Sequence, residues 1–262
     1  MNAHEGGAGM RHGIFAEQAP ESHWLAGLVA ADGSVKGDRA WTLSQSGDEG
    51  RATIERVRTL TGHRLTVSER TPLRGRTAHV IYVPSRQMVA DLQRQYGIGP
   101  RKTLTYTWPG LNGAAAADFL AGYIDGDGCV GEYRTPKGEP FLHISFVGTT
   151  EFMANAVTAI PADGKLHRLS QCKNLAEVRY SGRHAWAAGA WLYASPTAQE
   201  SRKYRAYEAH VTTARPAWKV MAERRERVRQ ALDSGLSLRA TAAATGEHLG
   251  TVCAWKKQFT ER

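Results

Sequence analysis

Apolar positions along the first half of the chain switch between the period of a strand and that of a helix. Leu65 and Val67 alternate with polar neighbours, as expected for a half-buried strand. Ile54, Val57 and Leu60 recur instead at the spacing of one helix face. The first half is therefore predicted to contain strands at 34–36, 41–46, 63–70 and 77–84 and helices at 48–60 and 86–96.

The second half is predicted to repeat this order of elements. After the motif helix, a Gly/Pro-rich hairpin around 136–140 leads into a strand at 141–147. A helix at 151–160 is then followed by strands at 165–171 and 175–180 and by a longer helix that begins near His184. In each half the strands are expected to form a four-stranded antiparallel sheet backed by helices. The predicted fold class is α+β, with pseudo-symmetric αββαββα repeats at 20–96 and 114–213 and a linker at 97–113.

A nine-residue motif opens each half in nearly the same form. Residues 25–33 read LAGLVAADG, and residues 120–128 read LAGYIDGDG. Each copy predicts a short apolar helix that stops at a glycine, which favours the left-handed conformation just past a helix C-terminus. Small residues four positions apart share one helix face and let two backbones approach closely. The two motif helices are therefore expected to pack side by side across a pseudo-two-fold axis.

The last acid of each motif copy, Asp32 or Asp127, is expected at the C-terminal end of its helix. This end carries the negative pole of the helix dipole and unpaired carbonyl oxygens, and two carboxylates there also repel each other. A divalent cation removes the conflict because hard cations bind carboxylate and carbonyl oxygens. We therefore predict a shared metal site formed by Asp32, Asp127 and the carbonyls of Ala31 and Gly126. The alternative, for one copy taken alone, is a turn after a core helix.

The motif pair resembles the LAGLIDADG motif of single-chain, two-repeat homing endonucleases. Both copies keep the final acid, whereas Ala30 stands where the family motif and Asp125 have an acid. The resemblance in layout covers residues 20–213. It implies a site-specific double-strand DNA endonuclease that uses Mg²⁺, or another divalent metal such as Mn²⁺, held by Asp32 and Asp127. The remaining departures from the family motif are at Val29, Tyr123 and Gly126.

The same resemblance implies three further catalytic residues. Lys102 and Lys203 match the family's lysine near the end of each repeat, which lies beside the metal. Gln45 matches the polar partner of the hydrolytic water, although Gly148-Thr149 stands at the corresponding place in the second half. The alternative is that the lysines are ordinary surface charges.

Charge and composition fit a DNA-binding protein. The 262-residue chain has a net charge of +9 and a sequence pI of about 9.6, which suits a polyanionic partner. The resemblance implies that two antiparallel sheets form a saddle on double-stranded DNA, over roughly 20 bp. The alternative is that basic residues merely line the solvated face of half-buried sheets. The proposed sheet contacts are Arg64, Thr66, Ser68 and Arg70 in the first half and Arg168 and Arg179 in the second.

Other sequence features bear on the compartment, membrane association and oligomeric state of the protein. Three scattered cysteines, with no CxxC pair, are typical of reduced thiols and predict a cytoplasmic protein. The sequence contains no apolar run long enough to predict a membrane span. We expect a monomer. Residues 1–19 are predicted to be disordered.

Residues 217–262 predict a separate helical module. A charged helix at 222–232 precedes Ser237, a short helix at 239–245, Gly246 and a second helix at 248–259. The segment resembles the helix-turn-helix of resolvases and transposases, which implies that its last helix enters the major groove. His248, Thr251 and Lys257 are the candidate contacts. The alternative is a small three-helix bundle for protein contacts.

Two functions remain after the endonuclease is considered. A bacterial family of sporulation regulators joins a LAGLIDADG scaffold to a helix-turn-helix without cleaving DNA, and intron maturases descend from the same endonucleases. The pair Asp32 and Asp127 favours the endonuclease, because a protein that only binds DNA has no reason to keep acids at these helix ends.

Overall fold

The computed structural model describes residues 9–62, 67–71, 76–170, 172 and 174–260. By their contacts the residues divide into two units, Met1–Thr212 and Thr213–Arg262. None of the helices in the described part of the chain is long and apolar enough to cross a membrane.

The first half forms an antiparallel sheet with strand order β1-β2-β4-β3, covered on one face by helices. Of the predicted strand at 63–70, residues 63–66 lie outside the described residues, Val67 is not in a strand, and Ser68–Arg70 form one. The elements are α1 (Pro20–Asp32), β1 (Gly33–Lys36), β2 (Ala40–Ser46), α2 (Gly47–Leu60), β3 (Ser68–Arg70), β4 (Ala78–Val83) and α3 (Arg86–Tyr96).

The second half repeats this architecture with strand order β5-β6-β8-β7, which confirms the predicted α+β class and its two antiparallel sheets. The long helix predicted from His184 is instead three helices, because Ser195 caps a new helix after a short break. The elements are α4 (Gly113–Asp127), β5 (Gly128–Arg134), β6 (Pro140–Thr149), α5 (Thr150–Ala159), β7 (Lys165–Arg168), β8 (Leu175–Ser181), α6 (Arg183–Leu192), α7 (Pro196–Gln199) and α8 (Arg202–Thr213).

The motif helices α1 and α4 touch backbone to backbone at two reciprocal glycines. A Cβ added to Gly27 would lie 1.9 Å from the carbonyl oxygen of Phe119, and one added to Gly122 would lie 1.9 Å from the carbonyl oxygen of Trp24. No side chain fits at such distances, so glycine is required at both positions. The predicted close packing across a pseudo-two-fold axis is present.

The glycines that end the two motif copies do not have the predicted left-handed conformation. Gly33 has φ −77° and ψ 155°, and Gly128 has φ −99° and ψ 169°, so each is already the first residue of a strand. Glycine is needed there for space: a Cβ would lie 2.6 Å from the carbonyl oxygen of Val29 or of Ile124. The helix therefore passes into the strand without a turn.

Aromatic side chains join the N-terminal segment to the first half, and join that half to α4. Ile14 and Phe15 lie in a 3₁₀ turn and are fully buried, so the prediction of disorder is wrong for these residues. Phe15 packs edge-on against Trp41 with ring centroids 6.2 Å apart. Tyr96 stacks on Phe119 of α4 at 6.1 Å. The apolar area of these rings outweighs the polar composition of the segment that precedes them.

The C-terminal unit consists of three helices joined by short turns. Gly246 takes the left-handed conformation (φ 71°) that ends the middle helix, and the Ser237 hydroxyl accepts a hydrogen bond from the backbone of Ala240 as its N-cap. Arg224 binds Glu247 through two hydrogen bonds of 2.6 Å. The helices are α9 (Ala217–Asp233), α10 (Leu238–Thr245) and α11 (Leu249–Thr260).

Candidate metal centre

The C-terminal ends of α1 and α4 bring Asp32 and Asp127 into one site. Gly126 lies directly against the first helix, since a Cβ there would be 2.5 Å from the Cβ of Ala31 and 3.1 Å from Oδ2 of Asp32. Burial raises the pKa of both carboxyls, and the charge of Asp32 raises that of Asp127 further. Burial and the repulsion between the two charges therefore both raise the free energy needed to ionise the pair.

A divalent cation fits this set of oxygen donors. The two carboxylates lie close enough for the charge of Asp32 to act on Asp127. The predicted carbonyl ligands, Ala31 and Gly126, lie in the last turns of their helices, where carbonyls have no intrahelical partner. Hard oxygen donors suit Mg²⁺ and similar ions, whereas structural zinc sites use cysteine and histidine. Among the described residues, no group of three or more His, Cys, Asp or Glu forms a metal cluster, so water or a phosphate would complete the coordination.

Gln45 contacts the first acid directly. Its Nε2 donates a hydrogen bond to Oδ2 of Asp32 at 2.5 Å, and this bond partly offsets the effect of burial on the pKa of Asp32. The side chain is buried where β2 ends. Gly50 makes the packing possible, because a Cβ there would lie 3.0 Å from the Cβ of Gln45.

Both predicted lysines reach the ends of the motif helices. Lys102 donates from Nζ to the carbonyl of Ala31 at 3.3 Å, and Lys203 donates to the carbonyl of Gly128 at 2.5 Å. Burial lowers the pKa of both ammonium groups, and for Lys102 the charges of Asp127 and Asp32 oppose that shift. The two cations therefore offset part of the negative charge at the site.

Arg202 is a further cation at this site that the sequence analysis missed. Its charge lowers the pKa of Asp32, together with the charges of the two lysines. Its guanidinium also donates to the carbonyl of Asp125 at 3.1 Å. The one available signal was its place beside Lys203 in the segment Ser201–Tyr204.

Asp125 has a structural environment of its own. The indole of Trp24 donates to its Oδ2 at 2.9 Å, and the guanidinium of Arg56 lies 3.7 Å from the centre of the Trp24 ring. Burial raises the pKa of Asp125 to about 6, against the opposing effect of the Trp24 hydrogen bond. This acid packs between the repeats, and its absence at Ala30 leaves the two terminal aspartates in place.

Comparison with known proteins gives a match in structure alone. No model of a protein family matches the sequence, and neither does any curated protein. The crystal structure of the I-LtrWI LAGLIDADG homing endonuclease bound to target DNA aligns with a TM-score of 0.51 at 10% identity, over 74% of this chain and 91% of that chain. The LAGLIDADG meganuclease I-AabMI bound to uncleaved DNA aligns with a TM-score of 0.49 at 10% identity, over 73% of this chain and 89% of its own.

This chain has the two-repeat LAGLIDADG homing-endonuclease fold. Each sheet of the fold has one face covered by helices and one face free of them, and the pairing register assigns every strand residue to one of the two.

In the first sheet of the LAGLIDADG fold the register agrees with the prediction for two residues. Ser68 pairs with Val80 and Arg70 pairs with Ala78, so both share the free face with the exposed ring of Tyr82. The other two predicted contacts of this sheet, Arg64 and Thr66, lie outside the described residues.

In the second sheet the register separates the two predicted arginines. Arg179 is on the free face, where Glu177 binds it at 2.5 Å. Arg168 pairs with the buried Ala176 and is therefore on the helix-covered face, which corrects the prediction. The strand that carries it has only four residues, and its alternate residues Lys165 and His167 are the ones on the free face.

In the C-terminal unit the three predicted contacts have different surroundings. His248 precedes α11, and its Nδ1 accepts a hydrogen bond from the backbone N–H of Gly250 at 3.2 Å. Thr251 is half-buried, whereas Lys257 is exposed near the helix C-terminus. His248 and Lys257 are therefore the more accessible pair.

Proposed function

We propose that this chain is a site-specific endonuclease that hydrolyses both strands of double-stranded DNA at a divalent-metal centre between its two repeats. The observation that carries the proposal is the pair Asp32 and Asp127, held together by helices whose backbones touch at Gly27 and Gly122. A protein that only binds DNA gains nothing from two repelling carboxylates at helix C-termini.

The proposed chemistry divides between the metal and the side chains. Asp32, Asp127 and the carbonyls of Ala31 and Gly126 would hold an ion such as Mg²⁺ or Mn²⁺, which would supply neutralisation of phosphate charge and activation of water. Gln45 fixes the carboxylate of Asp32 through Nε2 and so orients the donors on that side. Lys102 and Lys203 place Nζ ammonium groups beside the helix ends, where they can stabilise charge that develops on the phosphate oxygens.

Binding to DNA is proposed to use the free faces of the two sheets. I-LtrWI, which shares this fold, was solved bound to target DNA. Arg70, Arg179, Lys165 and His167 supply basic and polar groups on these faces, and the net charge of +9 favours a polyanion. Two repeats along a groove would cover roughly 20 bp, with one chain sufficient.

The C-terminal unit is proposed to act as a helix-turn-helix that adds contacts on one flank of the target. Its α10 and α11 are joined by a tight turn at Gly246, which suits insertion of α11 into a major groove. His248 and Lys257 are its proposed contacts.

The proposal is tested with genomic DNA from which the coding element has been deleted. The protein is incubated with this DNA and Mg²⁺, and breaks are mapped by sequencing of the new ends. Asp32→Asn and Asp127→Asn should each abolish double-strand breaks while DNA binding stays within a few-fold. Asp38→Asn, which changes an exposed acid, is the matched control and should cut normally.

The outcomes separate the competing functions. Breaks that persist in both aspartate variants would show that the acids are not the metal ligands. Sequence-specific binding without any breaks would favour the regulator on a LAGLIDADG scaffold. Specific binding to RNA instead of DNA would favour the maturase.

A further inference from the structure

The two halves of the molecule differ at the position that contacts the metal-site acid. Gly33 pairs with Leu43 in the first sheet, and Gly128 pairs with Phe146 in the second. Two residues further along the strand lie Gln45 in the first half and Gly148 in the second. Where Asp32 receives a carboxamide, the second half therefore has no side chain.

The space above Gly148 is filled from the motif helix. A Cβ on Gly148 would lie 2.8 Å from the hydroxyl oxygen of Tyr123, so the phenol ends where the missing side chain would begin. Tyr123 stands at the motif position that Leu28 occupies in the first copy, and leucine has no polar group. A polar group thus reaches this position in each half, but from a different element.

Gly50 and Met153 are a third pair of corresponding positions that differ between the two halves. Met153 follows Gly148 by the same interval as Gly50 follows Gln45. Its Cε would lie 2.7 Å from a Cβ on Gly148, whereas Gly50 leaves room for the side chain of Gln45. The first half therefore has Leu28, Gln45 and Gly50, and the second half has Tyr123, Gly148 and Met153.

Tyr123 lines the same cleft as the second acid. Tyr123, Gly148, Lys102 and Asp127 line one cleft of about 180 Å³, which we call the Asp127 cleft. The phenol donates to the carbonyl of Val147 at 2.9 Å, and its oxygen keeps acceptor capacity. Burial, and then the charges of Asp127 and Asp32, raise its pKa, so the phenol stays protonated under working conditions.

We propose that Tyr123 is the positioning residue of the second half, and that its hydroxyl holds the hydrolytic water in the Asp127 cleft, at the position that corresponds to Gln45 beside Asp32. The inference rests on the proposed endonuclease function. A phenol and a carboxamide differ in reach and in the number of hydrogen bonds they form. The cleavage of one DNA strand would therefore depend on the Tyr123 hydroxyl, and that of the other on the Gln45 carboxamide. Each group is expected to control one strand.

The test measures single-turnover cleavage of each strand separately, with saturating enzyme and Mg²⁺. Tyr123→Phe keeps the ring and removes the hydroxyl, and it should slow one strand about tenfold, the effect of one lost hydrogen bond. The other strand should change less than about twofold. Tyr180→Phe, which alters a buried phenol packed against Gly164, is the matched control and should leave both rates unchanged.

Two further measurements separate positioning from a structural role. Crystals of the DNA complex with Ca²⁺ should show an ordered water on the hydroxyl of Tyr123, and this water should be absent in Tyr123→Phe. The variant Tyr123→Leu with Gly148→Gln and Met153→Gly transfers the first-half trio, and it should restore the slowed strand to within about threefold. If this variant does not fold, as judged by circular dichroism, the Phe variant and the crystals decide alone.

The inference is overturned if Tyr123→Phe cuts both strands at the wild-type rate, slows both equally, or retains the water. If the wild-type protein itself makes no breaks, the proposed endonuclease function is rejected, and the role of Tyr123 with it. This outcome is distinct from the three above, in which the wild type cuts DNA.

Discussion

Replacing Gly122 with alanine should drive the two motif helices apart. The new Cβ would lie 1.9 Å from the carbonyl oxygen of Trp24, whereas an ordinary contact begins at 3.4 Å. The atom on the other side belongs to a helix backbone, so no rotamer change can relieve the overlap. The helices must therefore separate by about 1.5 Å at their crossing.

The expected cost follows from two opposing effects. Overpacking in a core destabilises a protein by about 1–3 kcal/mol, and a clash between backbones belongs at the upper end. Alanine recovers up to about 1 kcal/mol through its higher helix propensity. The Gly122→Ala variant should thus lose about 2 kcal/mol of unfolding free energy, which lowers the melting temperature by about 4–8 °C for a chain of this size.

The reciprocal glycine provides a sharper measurement. Gly27→Ala meets the carbonyl of Phe119 at the same helix crossing, so it should cost about the same. Once one methyl group has separated the helices, the second fits into the gap already opened. The double variant should therefore lose about 1–2 kcal/mol less than the sum of the two single losses.

Thermal and urea unfolding, followed by circular dichroism, measure these differences. Gly131→Ala is the matched control, because a Cβ there meets no atom within 4 Å, and it should change stability by less than about 0.5 kcal/mol. A Gly122→Ala variant as stable as the wild type would refute the backbone contact. Strictly additive losses would refute the idea that both glycines serve one crossing.

Three other changes give independent tests. Asp125→Asn should gain stability relative to the wild type as pH rises from about 4 to 7, by up to about 3 kcal/mol. Burial raises the pKa of Asp125 from 3.8 to about 6, so the wild type loses stability as the pH rises through the folded-state pKa of about 6. A stability difference in urea unfolding that does not vary with pH would contradict this. Lys102→Met should slow single-turnover cleavage about 10²- to 10³-fold, because the charge of its ammonium group interacts with both acids. DNA affinity in gel-shift assays should change only a few-fold, and an unchanged cleavage rate would show that this lysine has no part in catalysis. A chain truncated after Arg215 should cut the same phosphates, with a DNA footprint up to about one helical turn shorter. A folded truncation that no longer cuts would show that the tail helps to form the active core. An unchanged footprint would favour a three-helix bundle for protein contacts.

Residues close together in sequence determined most of the architecture. The period of apolar positions predicted α2 and α3 to within a residue, since helix and strand periods depend on neighbours a few positions apart. The repeated motif likewise predicted the paired helices and the meeting of Asp32 with Asp127, because each copy carries its acid at the same place relative to its small residues.

Only the tertiary structure decided which side chains meet across elements. Arg168 and Arg179 look alike in sequence, but strand register puts them on opposite faces, and one residue of slip would exchange them. Arg202 joins the site through the packing of segments far apart in the chain. Tyr123 reaches the space above Gly148 from another element, so no local pattern could show that it stands opposite Gln45. Sequence determines local conformation through neighbouring residues, whereas a site depends on contacts that exist only once the helices and strands have packed.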